Sequence, residues 1–215
     1  MPTNRRQFIS SSLSGAIALS IGLKSSTTLA ADGYEIIDPP QNTSSSDSVE
    51  VIEFFWLGCP HCYSLEPSMI AWEQTMPANV NFIREAPPLN PSWEEHSRGF
   101  YAAQLMGQEN AFVEAMFKAI HEDRKRMRKP SDIAELAESV GLDKDKFLKT
   151  MKSFGVQTKL NRSIQLAKSA GISGVPAIVV NGKYRTGARI AGGNAGIIDV
   201  INRTVAIEKQ AMGLD

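Results

Sequence analysis

Both cysteines of this 215-residue chain lie in one four-residue stretch, Cys59-Pro60-His61-Cys62. A disulfide between them closes a very short loop and removes little entropy from the unfolded chain, so stability is a weak reason for it. Two thiols at this spacing, with no third cysteine to compete, are typical of a pair that cycles between dithiol and disulfide. The stretch therefore predicts redox chemistry.

Other uses of a paired-cysteine motif stay open. A structural zinc site needs about four ligands, and beyond the thiols the chain offers three histidines, His61, His96 and His121, none of them in a second paired motif. Covalent haem attachment needs a histidine directly after the second cysteine, where Tyr63 stands. A purely structural disulfide is the third alternative. We expect His96 and His121 to be surface or boundary residues of helices rather than ligands.

The elements on either side should place Cys59 at the start of a helix. Val49 to Leu57 is apolar and rich in β-branched and aromatic residues, which predicts a buried strand, and Gly58 ends it. Pro60 suits the first turn of a helix because its missing N–H would be unpaired there anyway. We predict that helix over Pro60 to Thr75.

This position favours an anion on Cys59. Free backbone N–H groups and the positive end of the helix dipole meet at a helix start, so a thiolate is stabilised there and the pKa of the thiol falls. A protonated His61 strengthens the effect. Because a stable thiolate is a good leaving group, a disulfide that contains Cys59 is easily broken by a substrate thiol. Cys62 is expected to be the more buried partner, which resolves a mixed disulfide.

The remaining pattern predicts one α/β domain with an inserted helical block. A strand at Val80 to Arg84 completes a β-α-β unit, helices follow, and a strand at Ala177 to Val180 precedes an Asn181-Gly182 hairpin signal. One domain with an insertion explains this order better than two serial domains. Capping signals predict helix starts at Ser92 (with Glu95), Asn110, Ser131, Asp143 and Asn194, and glycines predict helix ends at Gly107, Gly141 and Gly155. The last helix of the block is predicted over about Thr158 to Ala170, and the final helix of the chain ends near Gln210. Further strands are predicted at Tyr34–Ile37 and Lys183–Thr186.

Charge and composition are those of an ordinary globular protein. The formal net charge is +0 and the hydrophobic fraction is 42%, and nothing in this balance favours nucleic acid as a partner. The basic run from Arg124 to Lys129 is interpreted as a solvated helix C-terminus, where cations suit the helix dipole. A docking role for this run is the alternative.

Residues 1–31 have the pattern of a secretory signal peptide. Arg5 and Arg6 give a positive start, Leu13 to Leu23 is mostly apolar but short for a membrane span, and small residues lead to a cleavage point after Ala30. A retained N-terminal anchor is the alternative. The paired arginines also suit a twin-arginine signal, so both export routes stay open. Either route leads to an oxidising compartment, in which a disulfide persists.

Two groups of motifs together resemble the bacterial DsbA family. Glu53-Phe54-Phe55 precedes the Cys59-Pro60-His61-Cys62-Tyr63 stretch, and Gly174-Val175-Pro176 precedes Asn181-Gly182-Lys183-Tyr184. The resemblance covers Val49 to Gln210. It implies an α/β, thioredoxin-like fold with an inserted all-helical subdomain. The division it implies is a signal peptide at 1–31, thioredoxin-like parts at 32–90 and 158–215, and a helical insertion at 91–157.

The resemblance also implies roles for residues outside the cysteine motif. Pro176 matches the cis-proline of the family, and Val175 lies beside it in a loop that faces the cysteines and binds an extended substrate; a trans proline opening an edge strand is the alternative. Glu53 matches a buried acid that assists proton transfer, although a solvent-facing residue is possible. Glu66 matches another acid near the site. Trp56 and Leu57 are expected to be core residues or an apolar surface for unfolded chains.

These matches imply a periplasmic thiol oxidase that donates its disulfide to unfolded or partly folded secreted proteins with free thiols. A DsbB-type membrane quinone reductase would re-oxidise it, and no bound cofactor is needed because the redox pair belongs to the protein. The simplest oligomeric state is a monomer. Two alternatives are a thiol reductase or isomerase on the same fold and a metal-binding chaperone.

Overall fold

A five-stranded mixed sheet positions the cysteine motif. The computed structural model describes residues 32–214, so the predicted signal peptide lies outside the described residues. The strands follow the order β1-β5-β4-β2-β3. β2 and β3 are parallel, whereas β2–β4, β4–β5 and β1–β5 are antiparallel. The strand bounds are β1 Glu35–Ile36, β2 Val49–Phe54, β3 Val80–Glu85, β4 Ala177–Val180 and β5 Tyr184–Thr186.

β2 leads directly to the motif. All six of its residues are buried, as a strand covered on both faces requires. It ends three residues earlier than predicted because the chain turns after Phe55, whose amide makes a last bond to the Glu85 carbonyl, at 3.0 Å. Helix α1 then spans Pro60–Thr75 with Pro60 in its first turn, which confirms the predicted bounds.

A helical block separates the two halves of the sheet. A 3₁₀ turn and a π-helical turn occur within it, and its main core is aromatic. Phe100, Phe112, Phe117 and Phe147 are buried in one cluster that also contains Cys59 and Cys62. The core of the block therefore reaches the redox motif. The elements are a 3₁₀ turn Pro91–Trp93, α2 Glu94–Leu105, α3 Glu109–Phe117, a π-helical turn Lys118–Glu122, α4 Pro130–Ser139, α5 Lys144–Met151 and α6 Phe154–Ser169.

Several predicted helix boundaries are wrong by a few residues. Ser92 does not cap α2; the Asn90 side chain instead accepts the Ser92 amide at 2.9 Å and starts the 3₁₀ turn. Gly155 does not end a helix but lies in the first turn of α6, which Ser153 caps. Asp143 does cap α5, as predicted. Asn110 and Ser131 each lie one residue inside a helix, in α3 and α4.

The basic run is not a helix C-terminus. Arg124 to Lys129 connects the π-helical turn to α4 in an irregular path, with positive φ at Arg124 (59°) and Met127 (44°). The cationic side chains of the run are exposed, whereas Met127 is buried. One buried apolar side chain therefore anchors the run to the helical block.

The C-terminal part returns the chain to the sheet. Asn181 and Gly182 both have positive φ, 48° and 66°, and form the predicted turn between β4 and β5. A short helix that the sequence did not predict, α7 Ala188–Ala191, precedes α8 Asn194–Met212. Between residues 32 and 214, no helix is both long and apolar enough to span a bilayer. The division at residues 90 and 157 stays a prediction.

Candidate active site

The two sulfurs occupy unequal positions at the start of α1. Cys59 is the N-cap residue, with an extended backbone (φ −87°, ψ 117°), and its carbonyl accepts the amide of Tyr63 at 3.0 Å. Cys62 lies inside the first turn. Both are free thiols; Cys59 is 7% exposed and Cys62 is 0% exposed. Cys59 is therefore the more accessible of the two sulfurs.

The surroundings of Cys59 favour its thiolate. A hydrogen bond with the Cys62 thiol is the largest cause and lowers the pKa of Cys59 from its ordinary 9.0 to about 6. The amides of Cys62 and His61 and the charge of His61 lower it further, against a rise caused by burial. The helix start and His61 therefore act as expected, but the partner thiol contributes more than either.

Cys62 has the opposite tendency. Burial raises its pKa strongly, and the neighbouring Cys59 and Glu53 charges raise it further. At neutral pH the reduced pair therefore holds its negative charge on Cys59 and its proton on Cys62. This asymmetry means that Cys62 must gain a proton each time the pair becomes reduced.

A loop at the end of the sheet faces Cys59. The Val175–Pro176 peptide bond is cis, as expected, and the Cys59 sulfur lies 3.5 Å from the Val175 carbonyl oxygen. Next to this loop is a groove of about 550 Å³. Its lining includes His61, Ser173, Val175, Pro176, Arg185 and Arg189. Pro60 and His61 are both exposed, and His61 is the one that lines the groove.

Glu53 is a buried acid held near a buried cation. Its side chain is 1% exposed, and its neighbour in the parallel β2–β3 register is Arg84. Arg84 Nε lies 3.5 Å from Glu53 Oε2, and Arg84 Nη2 lies 3.0 Å from Glu66 Oε1. Among the described residues, neither Glu53 Oε2 nor Arg84 Nε has a hydrogen-bond partner. Burial raises the pKa of Glu53 to about 7, although Arg84 opposes the rise.

Glu66 joins the same charge cluster rather than the surface. Its side chain is 12% exposed, and burial raises its pKa, although Arg84 lowers it. Arg84 was not among the site residues predicted from the sequence. The signal was present, because a cation near the end of an apolar strand should be paired when that strand is buried. The structure thus brings Glu53 and Glu66 together around a guanidinium.

The connection from β2 to Cys59 is held by the helical block. Trp56 stacks on Trp93, with ring centroids 4.4 Å apart, and its Nε1 donates to His96 Nδ1 at 3.1 Å. His96 Nε2 donates to the Met127 carbonyl at 2.8 Å. His96 is therefore a buried, bonded residue rather than a surface one, and burial lowers its pKa. Leu57 is 1% exposed and forms no apolar surface.

His121 also contacts this connection. Its Nε2 donates to the Leu57 carbonyl at 2.9 Å, and its side chain is half-buried. Its partner is 64 residues away in the chain, so no local pattern could have indicated the contact. Between residues 32 and 214, no group of three or more His, Cys, Asp or Glu side chains has an arrangement that suits a metal ion.

The fold and the site define a class. A helical block inserted into a thioredoxin-like sheet, with a Cys-Pro-His-Cys helix start facing a cis-proline loop, is the arrangement of a thiol:disulfide oxidoreductase. Residues 71–195 match the family model of the DSBA-like thioredoxin domain.

Comparison with known proteins identifies the family. The chain is 35% identical over 182 residues to the thiol:disulfide interchange protein DsbA of Pseudomonas aeruginosa, covering 85% of this chain and 86% of that protein. It is 35% identical over 212 residues to the DsbA of Azotobacter vinelandii, covering 96% and 99%. The crystal structure of Pseudomonas aeruginosa DsbA matches with a TM-score of 0.79, at 35% identity, over 83% of this chain and 93% of that chain. The chain belongs to the DsbA family of thiol:disulfide oxidoreductases.

Proposed function

We propose that this oxidoreductase works as a thiol oxidase, donating the Cys59–Cys62 disulfide to substrate proteins. The observation that carries the proposal is the opposite tendency of the two sulfurs, with a lowered pKa at Cys59 and a raised pKa at Cys62. Since the dithiol form is stabilised by the Cys59 thiolate, the disulfide form is correspondingly easier to reduce. A pair with this asymmetry gives its disulfide away.

The transfer of the disulfide to the substrate takes place in two thiol–disulfide exchange steps. A substrate thiolate attacks Cys59 Sγ, a substrate–Cys59 disulfide forms, and the bond to Cys62 breaks. Cys62 leaves with the electron pair and takes up one proton. A second substrate thiolate then attacks the substrate sulfur of the mixed disulfide and expels Cys59 as a stable thiolate. The substrate dithiol has lost two electrons, and the cysteine pair has gained them.

Glu53 is proposed as the proton donor for Cys62. Its raised pKa, about 7, leaves the carboxyl partly protonated at neutral pH, and its charge acts on the pKa of Cys62. An acid is best suited to proton transfer when its pKa is near the working pH. Glu66 acts through Arg84, because the guanidinium it binds is the same one that opposes the rise of the Glu53 pKa.

The groove beside the cis-proline loop is proposed to bind the substrate. The Val175 carbonyl, already in contact with Cys59, would accept a backbone N–H of an extended peptide, and Pro176 fixes the loop. His61, which follows Pro60 at the start of α1, lines the groove. Trp56 supports the cysteine motif from the side of the helical block, through its stack on Trp93.

We further propose a periplasmic location, reached through the signal at 1–31. The substrates are unfolded or partly folded secreted proteins with free thiols. A DsbB-type membrane quinone reductase restores the disulfide, no bound cofactor takes part, and the protein acts as a monomer.

The equilibrium with glutathione tests the function most directly. We expect a potential well above about −270 mV, the value for thioredoxin, together with formation of disulfides in a reduced, unfolded substrate. Cys59→Ala, as the matched control, should abolish the transfer. A potential close to that of thioredoxin would support the reductase or isomerase instead. Tight stoichiometric zinc or copper binding without disulfide transfer would support the chaperone.

A further inference from the structure

The three residues that directly precede Cys59 are held by contacts from outside the sheet. Trp56 is held by the Trp93 stack and the His96 bond described above. The Leu57 carbonyl accepts from His121 Nε2 at 2.9 Å. Gly58 lies under the Trp56 indole so closely that a Cβ would stand 2.3 Å from the ring, so a larger residue would displace the indole. The position of Cys59 is therefore set by these contacts as well as by α1.

The π-helical turn Lys118–Glu122 contacts the motif on both sides. On the upstream side His121 holds Leu57, two residues before Cys59. On the downstream side the His121 ring stacks on the ring of Tyr63, with centroids 4.8 Å apart and planes 8° apart. The Tyr63 hydroxyl donates to Glu122 Oε1 at 2.7 Å. π-Helical turns often occur at functional sites, and this one bridges the residues that flank the two cysteines.

We propose that His121 is a positioning residue for disulfide exchange, fixing Cys59 at the start of α1 through the Leu57 carbonyl. The inference rests on the proposed function, in which Cys59 is the sulfur that substrates attack. The Cys59 thiolate depends on bonds from the Cys62 thiol and the first amides of α1. Such bonds weaken steeply when their geometry is disturbed. His121 holds the backbone two residues before Cys59. It therefore influences the geometry of the hydrogen bonds that stabilise the thiolate.

The hydrogen bond from residue 121 to the Leu57 carbonyl requires a donor at a defined distance from the backbone of residue 121. His121 Nε2 must carry the hydrogen, because a carbonyl oxygen only accepts. A glutamine side chain can place its amide nitrogen near the position of the histidine Nε2, whereas an asparagine side chain is one methylene shorter. His121→Phe keeps an aromatic ring for the Tyr63 stack but has no donor. These three substitutions separate the hydrogen bond from the stacking.

The test compares His121→Phe, His121→Asn and His121→Gln in the mature chain. Lys118→Gln is the matched control, because Lys118 lies exposed in the same π-helical turn. The readouts are the thiolate absorbance titration of Cys59 and the equilibrium constant with glutathione. For Phe and Asn we expect the equilibrium to move about tenfold towards the protein disulfide, which is about 30 mV, with a higher titration midpoint. The Gln variant and the Lys118 control should stay within about twofold of the unsubstituted protein.

Two results would overturn the proposal. The first is an unchanged titration and equilibrium in either His121→Phe or His121→Asn, so a folding failure of one variant leaves the other as the test. The second is an equal shift in Gln, Phe and Asn, which would assign the effect to packing. Failure of the proposed function looks different, since Cys59 of the unsubstituted protein would then titrate near its ordinary value.

Discussion

Each end of the sheet contains a buried carboxylate, and the two carboxylates differ in their hydrogen-bond partners and in the direction of their pKa shift. Glu53, at the end of β2 that leads to the cysteines, is 1% exposed with one oxygen unbonded among the described residues. Glu208, from α8, is 2% exposed at the other end, where β4 turns. It accepts from Lys183 Nζ at 2.6 Å, Asn181 Nδ2 at 2.5 Å and the Tyr184 hydroxyl at 3.1 Å.

The comparison shows that burial alone does not decide the charge of a carboxyl group. Burial raises the pKa of both groups, but at Glu208 the bonds from Lys183, Asn181 and Tyr184 outweigh it and the pKa is lowered. At Glu53 burial prevails over Arg84 and the pKa rises to about 7. One end of the sheet therefore holds a fixed charge, and the other holds a group able to gain and lose a proton at neutral pH.

The largest expected effect is on stability, at the Glu208 end. Glu208→Ala leaves three donors without their acceptor and should lower the free energy of unfolding by about 3 kcal/mol, as measured by urea denaturation at pH 7. The potential with glutathione should not change, because the cluster is remote from Cys59. Because the pKa of Glu208 is lowered by folding, its contribution is present above its ordinary 4.5 and is lost as the pH falls below that value.

A change in redox potential in Glu208→Ala would break the comparison, because it would couple the two ends of the sheet. Glu208→Gln is the matched variant. It keeps the side-chain volume and one carbonyl acceptor, so its loss of stability should be smaller than that of the alanine variant.

The second expected effect is a gain of stability, at the Glu53 end of the sheet. Glu53→Gln should raise stability by up to about 3 kcal/mol at pH 8 and leave it nearly unchanged at pH 4.5. The folded pKa of Glu53, about 7, lies above its ordinary 4.5, so the native protein loses stability as the pH rises between these values, and glutamine does not. Denaturation at several pH values measures this. Disulfide exchange should become slower, because Cys62 loses its proton donor; equal rates would leave Glu53 with a structural role only.

The third prediction separates two causes of the lowered Cys59 pKa, the Cys62 thiol and the start of helix α1. Cys62→Ala removes the thiol that contributes most and should lower the acid dissociation constant of Cys59 about tenfold, roughly 1.4 kcal/mol. Cys62→Ser keeps a donor and should lower it less. Absorbance titration of the thiolate compares them. An alanine variant that titrates like the unsubstituted protein would return the main role to the helix start.

The smallest effect is expected at His61. Its charge is the last of the causes that lower the pKa of Cys59, and the side chain is exposed, so solvent screens it. His61→Ala should make the protein less oxidising by about threefold in the glutathione equilibrium at low salt. The effect should shrink further at high salt. An unchanged equilibrium at low salt would remove His61 from the account.

Local signals predicted much of the fold. Pro60 after Gly58 defined the start of α1, and the Asn181-Gly182 pair defined the turn between β4 and β5, since each depends on backbone preferences of one or two residues. Capping was less certain where several candidates stood together. Asn90 and Ser92 both have suitable side chains, and only the path of the chain decides that Asn90 is used.

The site was predictable only in part, because several of its contacts join residues that are far apart in the chain. Cys59, His61 and Pro176 belong to short motifs. His96 and His121 bind Trp56 and Leu57 across 40 and 64 residues, and their surroundings in sequence are those of ordinary helix residues. The sequence therefore indicated which sulfurs react but not which side chains hold them in place.

The relative stability of the two redox forms tests the central claim, that Cys59 is better stabilised as a thiolate than as half of a disulfide. The lowered pKa, about 6, corresponds to roughly 3 kcal/mol for the dithiol form at pH 8. Closing a four-residue loop favours the disulfide form by only about 2 kcal/mol.

Calorimetry of both forms at pH 8 should therefore show the reduced protein melting at the higher temperature. That advantage should shrink steadily as the pH falls from 8 to 6, because the contribution of a thiolate whose pKa is lowered from 9.0 to about 6 is lost across this interval. An oxidised protein that melts higher at pH 8 would contradict the account.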